Sequence, residues 1–322
     1  MQQYRINYKL LLGLFVGSIV LMISLFLVWK WQVSRKATWY RDTAMEALEQ
    51  GDQLKAFEYQ QKFVQLRRDD EEARVELASI AYDVLKLEGV PREEQGMAFG
   101  VLSDTVRRTS DPQARRNLAD LYFESGQPQQ ALVHYEELVK TDDDPELKGL
   151  LVRSLFQAKD YETAMSEAYD LIGLDPDTEE FNDEAAKVTD QPEIYSTLAS
   201  VLLRRENEPE LARQVIEKMI ANNEDSAVAH LNKSIFLFGV DEKEEAKAEL
   251  EKAFQLDPNN SDVLYQRANV ALSEEDFEEA IKIADRGISQ FPKEMRFYKL
   301  QASTYRATEK YEEAVEVLDQ GL

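Results

Sequence analysis

Few residues in this 322-residue chain are spaced to do chemistry. There are no cysteines, which removes disulfides, thiolate metal sites and cysteine nucleophiles. Two histidines occur, His134 and His230, too far apart in sequence to share a helical His-x-x-x-His face. Each reads as a packing or surface residue rather than a metal ligand. No phosphate-binding G-x-x-x-x-G-K loop and no nucleophile elbow is present. The acidic runs Asp142-Asp143-Asp144 and Asp69-Asp70-Glu71-Glu72 lack the alternating ligands and central glycine of a calcium loop. They read as helix N-terminal caps, where negative charge suits the dipole. The expectation is a protein without catalytic residues, metal or cofactor, and not an enzyme.

The elements around these residues say more. Gly and Pro are scarce, 12 and 9, as a mainly helical chain requires. Net charge is −24, unevenly spread. Residues 1–36 carry basic side chains only (Arg5, Lys9, Lys30, Arg35, Lys36), so residues 37–322 are more acidic than the whole. Such a body repels phosphate backbones, which excludes nucleic acid as the expected partner and favours basic or apolar protein partners.

Leu10 to Trp29 contains no charged residue, and fourteen of its side chains are Leu, Ile, Val or Phe. As a helix it spans about 30 Å, the thickness of a bilayer core. Those fourteen favour insertion by about 4 to 8 kcal/mol. Tyr4, Tyr8, Trp29 and Trp31 mark the two interfaces. A cleaved signal would be shorter and end in small residues, whereas this run leads into Lys30-Trp31-Gln32-Val33-Ser34-Arg35-Lys36. The expected organisation is a basic tail over 1–9, a transmembrane helix over 10–31 and a basic linker over 32–36. Flanking charge is nearly balanced, and the short basic leader tips the expectation toward a single-pass signal-anchor with its body outside the cytoplasm. Gly13 and Gly17 form a G-x-x-x-G pair through which two such helices would pack as a homodimer.

Beyond residue 37 the chain repeats. Glu242-Lys243-Glu244-Glu245-Ala246, Asp276-Phe277-Glu278-Glu279-Ala280 and Lys310-Tyr311-Glu312-Glu313-Ala314 follow one another at one fixed period, set by their closing alanines. Ala56, Ala131, Ala164, Ala212, Ala246, Ala280 and Ala314 take one recurring position. Twelve residues earlier stand Ala44, Ala119, Val152, Ser200, Ser234, Ala268 and Ala302. Small side chains at both places let two helices cross closely; a larger one would overpack the crossing by about 1–3 kcal/mol. Pro176, Pro258 and Pro292 end second helices, and Ser261 is placed to cap the next.

This pattern resembles the tetratricopeptide repeat. The resemblance implies an all-α, right-handed solenoid of about eight helix pairs over 37–322, following the transmembrane helix. The units run near 37–70, 71–111, 112–144, 145–178, 193–226, 227–260, 261–294 and 295–322. The unit 71–111 is irregular, broken at Gly89-Val90-Pro91, with Ala98 at the alanine position; its longer spacing implies longer helices or a longer turn. An insertion falls near 178–192, read as an extended loop or an extra turn. The chain stops near the end of a second helix without a polar capping helix, so the reading includes continuation beyond Leu322 or a partner covering that end.

The resemblance also implies function: a membrane-tethered interaction scaffold or assembly adaptor, or the anchor and interaction segment of a longer, enzymatic protein. Protein or peptide partners would bind the concave face lined by first helices. Its candidate residues are Arg204, Arg205, Leu231, Ile235, Phe238, Tyr265, Asn269, Lys299 and Arg306. Leu231, Ile235 and Phe238 either form a peptide groove or pack against the adjacent unit. The Lys–Asn start of the family's carboxylate clamp is missing, which disfavours chaperone-tail binding.

Overall fold

The computed structural model describes residues 8–87 and 89–321. The expected tail residues Tyr4 and Arg5 lie outside them. The chain divides into two units, one ending at Leu138 and the other starting at Val139.

The first unit holds three helix pairs: α1 (Tyr8–Glu49) with α2 (Gln53–Leu66), α3 (Glu71–Lys86) with α4 (Arg92–Arg108), and α5 (Pro112–Glu124) with α6 (Pro128–Val139). Helix α1 runs unbroken for 42 residues. It carries the whole apolar run and also the first helix of the first repeat. Residues 32–36, expected as a linker, are helical within it, because no Gly or Pro interrupts Ser18–Gln50. From Leu14 on, α1 is long and apolar enough to cross a membrane, and its side chains there are exposed. The irregular second pair owes its length to its helices, of 16 and 17 residues, which part at Leu87–Pro91.

The second unit holds five pairs: α7 (Pro145–Ala158) with α8 (Tyr161–Ile172), α9 (Pro192–Val201) with α10 (Pro209–Asn222), α11 (Ala227–Gly239) with α12 (Lys243–Leu256), α13 (Ser261–Ser273) with α14 (Phe277–Gln290), and α15 (Met295–Ala307) with α16 (Tyr311–Gln320). The region of the insertion is mostly irregular over 182–191, with one turn in which the Ala186 amide donates to the Asn182 carbonyl at 3.1 Å, and it is preceded by a short hairpin. Two-residue strands β1 (Leu174–Asp175) and β2 (Glu180–Phe181) pair antiparallel. Val188 is buried behind them, and its carbonyl accepts from the Tyr195 hydroxyl at 3.0 Å. Lys218 pins the segment through Asp183 and lies 5.7 Å over the Phe181 ring.

Acidic residues do cap helices. Asp70 accepts from the Ala73 amide at 3.0 Å and Asp144 from the Glu146 amide at 3.1 Å. At α13 the cap is Asn260, whose Oδ1 accepts from the Asp262 and Val263 amides; Ser261, expected as the cap, is already the first helical residue.

The repeat alanines are the points of closest packing. Ala56, Ala131, Ala164, Ala212, Ala246 and Ala280 are fully buried, as is Ala98. Ala314 on α16 is only half-buried, since among the described residues no further helix packs beyond α16. Of the partner positions, Ala44, Ala119, Val152, Ser234, Ala268 and Ala302 are buried, but Ser200 is exposed. Its neighbour Ala199 is the fully buried one. The cause is a π-helical turn, Leu202–Glu206, directly after α9. It takes up one extra residue, so the crossing alanines here, Ala199 and Ala212, stand one position further apart than in the other pairs.

Candidate functional site

The candidate face in the second unit is built by the first helices α9, α11, α13 and α15. The structure sorts the nominated residues into two recesses and the packed stretch between them.

The first recess lies between α9 and α11 and is lined by Ser196, Ser200, Arg204, Asn232, Ile235 and Phe236. Ile235 is 45% exposed, unusual for its type in this unit. Arg204 stands at the rim on the π-helical turn. Arg205, beside it, is turned elsewhere: its Nε donates to Glu206 at 3.0 Å and its guanidinium stacks 4.5 Å over Tyr161. Phe238 is half-buried on the last turn of α11.

The second recess, between α15 and α16, is lined by Lys299, Ser303, Arg306, Tyr311, Val315 and Leu318. Tyr311 and Val315 are 62% and 59% exposed.

Between the recesses the nominated residues serve the fold. Leu231 is buried and packs with Leu250, Ala253 and Val263. Tyr265 meets Phe297 edge to face at 6.0 Å, under the Arg296 guanidinium at 5.1 Å. The Asn269 amide donates back to the Tyr265 carbonyl at 3.0 Å. Neither Tyr265 nor Asn269 lines either of these two recesses.

Sequence reasoning did not nominate Ser196, Ser200, Asn232 or Phe236. The signal for the first two was the choice of two small neighbours, Ala199 and Ser200, at the crossing position. Apolarity favours Ala199 there, which rotates Ser200 outward.

The histidines are not paired with each other or with a metal cluster among the described residues. His134 stacks on Tyr122 with ring centroids 5.8 Å apart, and burial holds it below its ordinary pKa. His230 is buried in an ionic cluster between α11 and α12.

Antiparallel helix pairs repeating at a constant period, with small residues at each crossing, define a helical-repeat protein. Two stretches, residues 116–178 and 242–304, match the family description of the tetratricopeptide repeat. Those two stretches carry tetratricopeptide repeats. It is similar in fold to a tetratricopeptide repeat protein from Parabacteroides merdae, at 14% identity and TM-score 0.63, over 84% of this chain and 99% of that one. A thermophilic tetratricopeptide repeat protein of Thermus thermophilus is similar over 61% of this chain and all of that one, at 20% identity and TM-score 0.51. A monomeric IFIT1 mutant solved with Gppp-AAAA is similar over 88% of this chain and 68% of that one, at 12% identity and TM-score 0.50. A search of curated proteins gives no match.

Proposed function

We propose that this protein is a membrane-tethered scaffold that recruits protein partners through the face of its first helices. The observation that carries this reading is α1 itself. One helix joins the apolar run to the first repeat, so an array held there is attached without a hinge. From Leu12 to Trp29 the large apolar side chains stand exposed, and such a surface fits lipid better than water. Dimerisation through Gly13 and Gly17 is compatible with this, since nothing lies within 4 Å of a Cβ built at Gly17.

The first recess is the proposed contact site. Ile235 and Phe236 offer an apolar floor, and Arg204 a cation at its rim. A peptide with an apolar anchor and a neighbouring acidic group fits it. The reading contains no catalytic step. A photo-crosslinking residue at Ile235 should give discrete protein adducts in membranes, while one at exposed Gln255 on α12 should not. Equal adducts from both positions, or none from either, would refute the recess as the contact site. Cysteine labelling at Ser34 and Asp143, in a chain without native cysteines, reads which side of the membrane the array occupies.

A further inference from the structure

Helices of the first unit run alternately toward and away from the apolar stretch, so their ends make two opposite surfaces. One surface is fixed at the level of Ser34, because Arg67, just past α2, donates from Nη2 to Ser34 Oγ at 3.0 Å. Ser34 lies only three residues beyond Trp31, a rise of about 4.5 Å.

The same end gathers the turn after α2, the first turn of α3 and the last turn of α4. Arg68, Arg74 and Arg108 line one recess there, together with Asp69 and Asp104. Outside the recess, exposed Arg35 and Lys36 stand on α1 beside Ser34, over the Trp31 and Tyr40 rings. Three of the carboxylates at this end are engaged: Asp70 caps α3, Asp111 caps α5, and Asp104 holds Arg107 at 3.1 Å and Arg108 at 2.6 Å. With Asp69, Glu71 and Glu72 these carboxylates are outnumbered only narrowly by Arg35, Lys36, Arg67, Arg68, Arg74, Arg107 and Arg108. The opposite end has the reverse balance, with Glu46, Glu49, Asp52, Asp83, Glu93 and Glu124 outnumbering Lys55, Lys86 and Arg92. In a chain of net charge −24, a basic end beside the apolar helix is a departure from composition.

We propose that this end of the first unit docks on anionic phospholipid headgroups. The inference rests on the reading of α1 as a membrane anchor. Its level matters: a charge within about 8 Å of the surface, one Debye length at physiological salt, feels an anionic leaflet. Direct headgroup contact by Arg68, Arg74 and Arg108 would seat the first unit against the bilayer and leave its acidic end facing away.

The test uses the full chain inserted in vesicles of phosphatidylcholine alone, or with phosphatidylglycerol. A donor dye is placed at Ser110→Cys beside Arg108, or at Ser125→Cys at the opposite end, with an acceptor on the headgroups. Transfer from position 110 should rise when phosphatidylglycerol is present, fall as salt is raised, and be lost in R68E/R74E/R108E. Each arginine removed should weaken the contact by about fivefold. Position 125 should not respond. Equal transfer from position 110 in both vesicles overturns the proposal, as does insensitivity to salt in the unreversed chain, which needs no charge variant to fold. Insertion is read separately, as retention in neutral vesicles after alkaline carbonate. A chain that fails to insert overturns the anchor reading and this one together, whereas an inserted chain blind to lipid charge overturns only this one.

Discussion

His230 Nδ1 on α11 stands 2.5 Å from Glu249 Oε2 on α12, and both side chains are buried. The other ring nitrogen faces the Glu224 carbonyl at 2.9 Å. Lys233, one turn along α11, reaches Glu249 at 3.4 Å and Glu217 of α10 at 3.1 Å, with Glu245 at 3.6 Å. Three helices are thereby tied through one ionic cluster with a buried centre and exposed outer carboxylates, in an array whose crossings are otherwise lined by alanine and other apolar side chains. Breaking such a cluster at one member leaves the others buried and uncompensated.

The cluster sets a pH window. Burial pushes the Glu249 carboxyl up, but the His230 hydrogen bond and the charges of Lys233 and Lys252 outweigh it and hold the group below its ordinary value. Its contribution is complete above the ordinary carboxylate pKa and is lost as pH falls through the depressed one. Burial pushes Lys233 down, and Glu217 and Glu249 outweigh that, so it sits above its ordinary value. That contribution is lost only as pH rises through the elevated value. The protection factors of α11 and α12 amides, the intrinsic exchange rate at each pH divided by the observed one, should therefore be flat around neutral pH and fall on both sides. Glu249→Gln should cost about 3–5 kcal/mol at pH 7 and flatten the acid limb. An acid limb as steep as the parent's would contradict this account.

The turns inside the repeats hold removable strain. Asp241, Glu275 and Glu309, at the same place in three successive repeats, all have φ near +60°, where Gly126 stands in its own turn at +68°. A side chain in this left-handed region costs about 1–2 kcal/mol, partly offset by the greater chain entropy of glycine. Glu275→Gly should raise the denaturation midpoint, through a gain of up to about 1 kcal/mol. An unchanged or lowered midpoint would show that Glu275 contributes something the turn geometry does not reveal.

Two glycines should respond in opposite senses. A Cβ at Gly287 on α14 would come within 2.2 Å of the buried Phe297 ring. Gly287→Ala should destabilise the last pairs by about 1–3 kcal/mol through overpacking. Gly100 on α4 has nothing within 4 Å of such an atom. Gly100→Ala should stabilise that helix by about 0.5–1 kcal/mol. Urea titrations of the two variants check both signs.

Neighbours on α11 separate folding from recognition. Leu231→Ala should cost about 2–5 kcal/mol, because it empties a packed site. Ile235→Asp should change stability by no more than about 0.5 kcal/mol, since the side chain is half in water. It should nonetheless abolish partner adducts from a photo-crosslinking residue placed at neighbouring Asn232. Unfolding by Ile235→Asp, seen in circular dichroism, would place that residue in the core instead.

The amino-acid sequence by itself determined the period and the class. A close helix crossing tolerates only small side chains, so alanines recurring at a fixed interval report the packing directly, and scarce Gly and Pro leave nothing but helix between them. The apolar run was equally plain, because twenty residues without a charge have few other uses. Tertiary structure decided what that periodicity cannot encode. The π-helical turn after α9 absorbs one residue inside a helix, which moves Ser200 out and Ala199 in without altering the composition of the segment. The hairpin at 174–181 meets partners far along the chain, such as Lys218 over the Phe181 ring, which no local pattern announces. Whether Leu231 or Ile235 faces water depends on which neighbouring helix comes within reach, and the spacing of apolar residues on α11 is the same in either case. The unbroken α1 falls between the two: its residues permit a continuous helix, but only packing of the first repeat against α2 makes its far half part of the array.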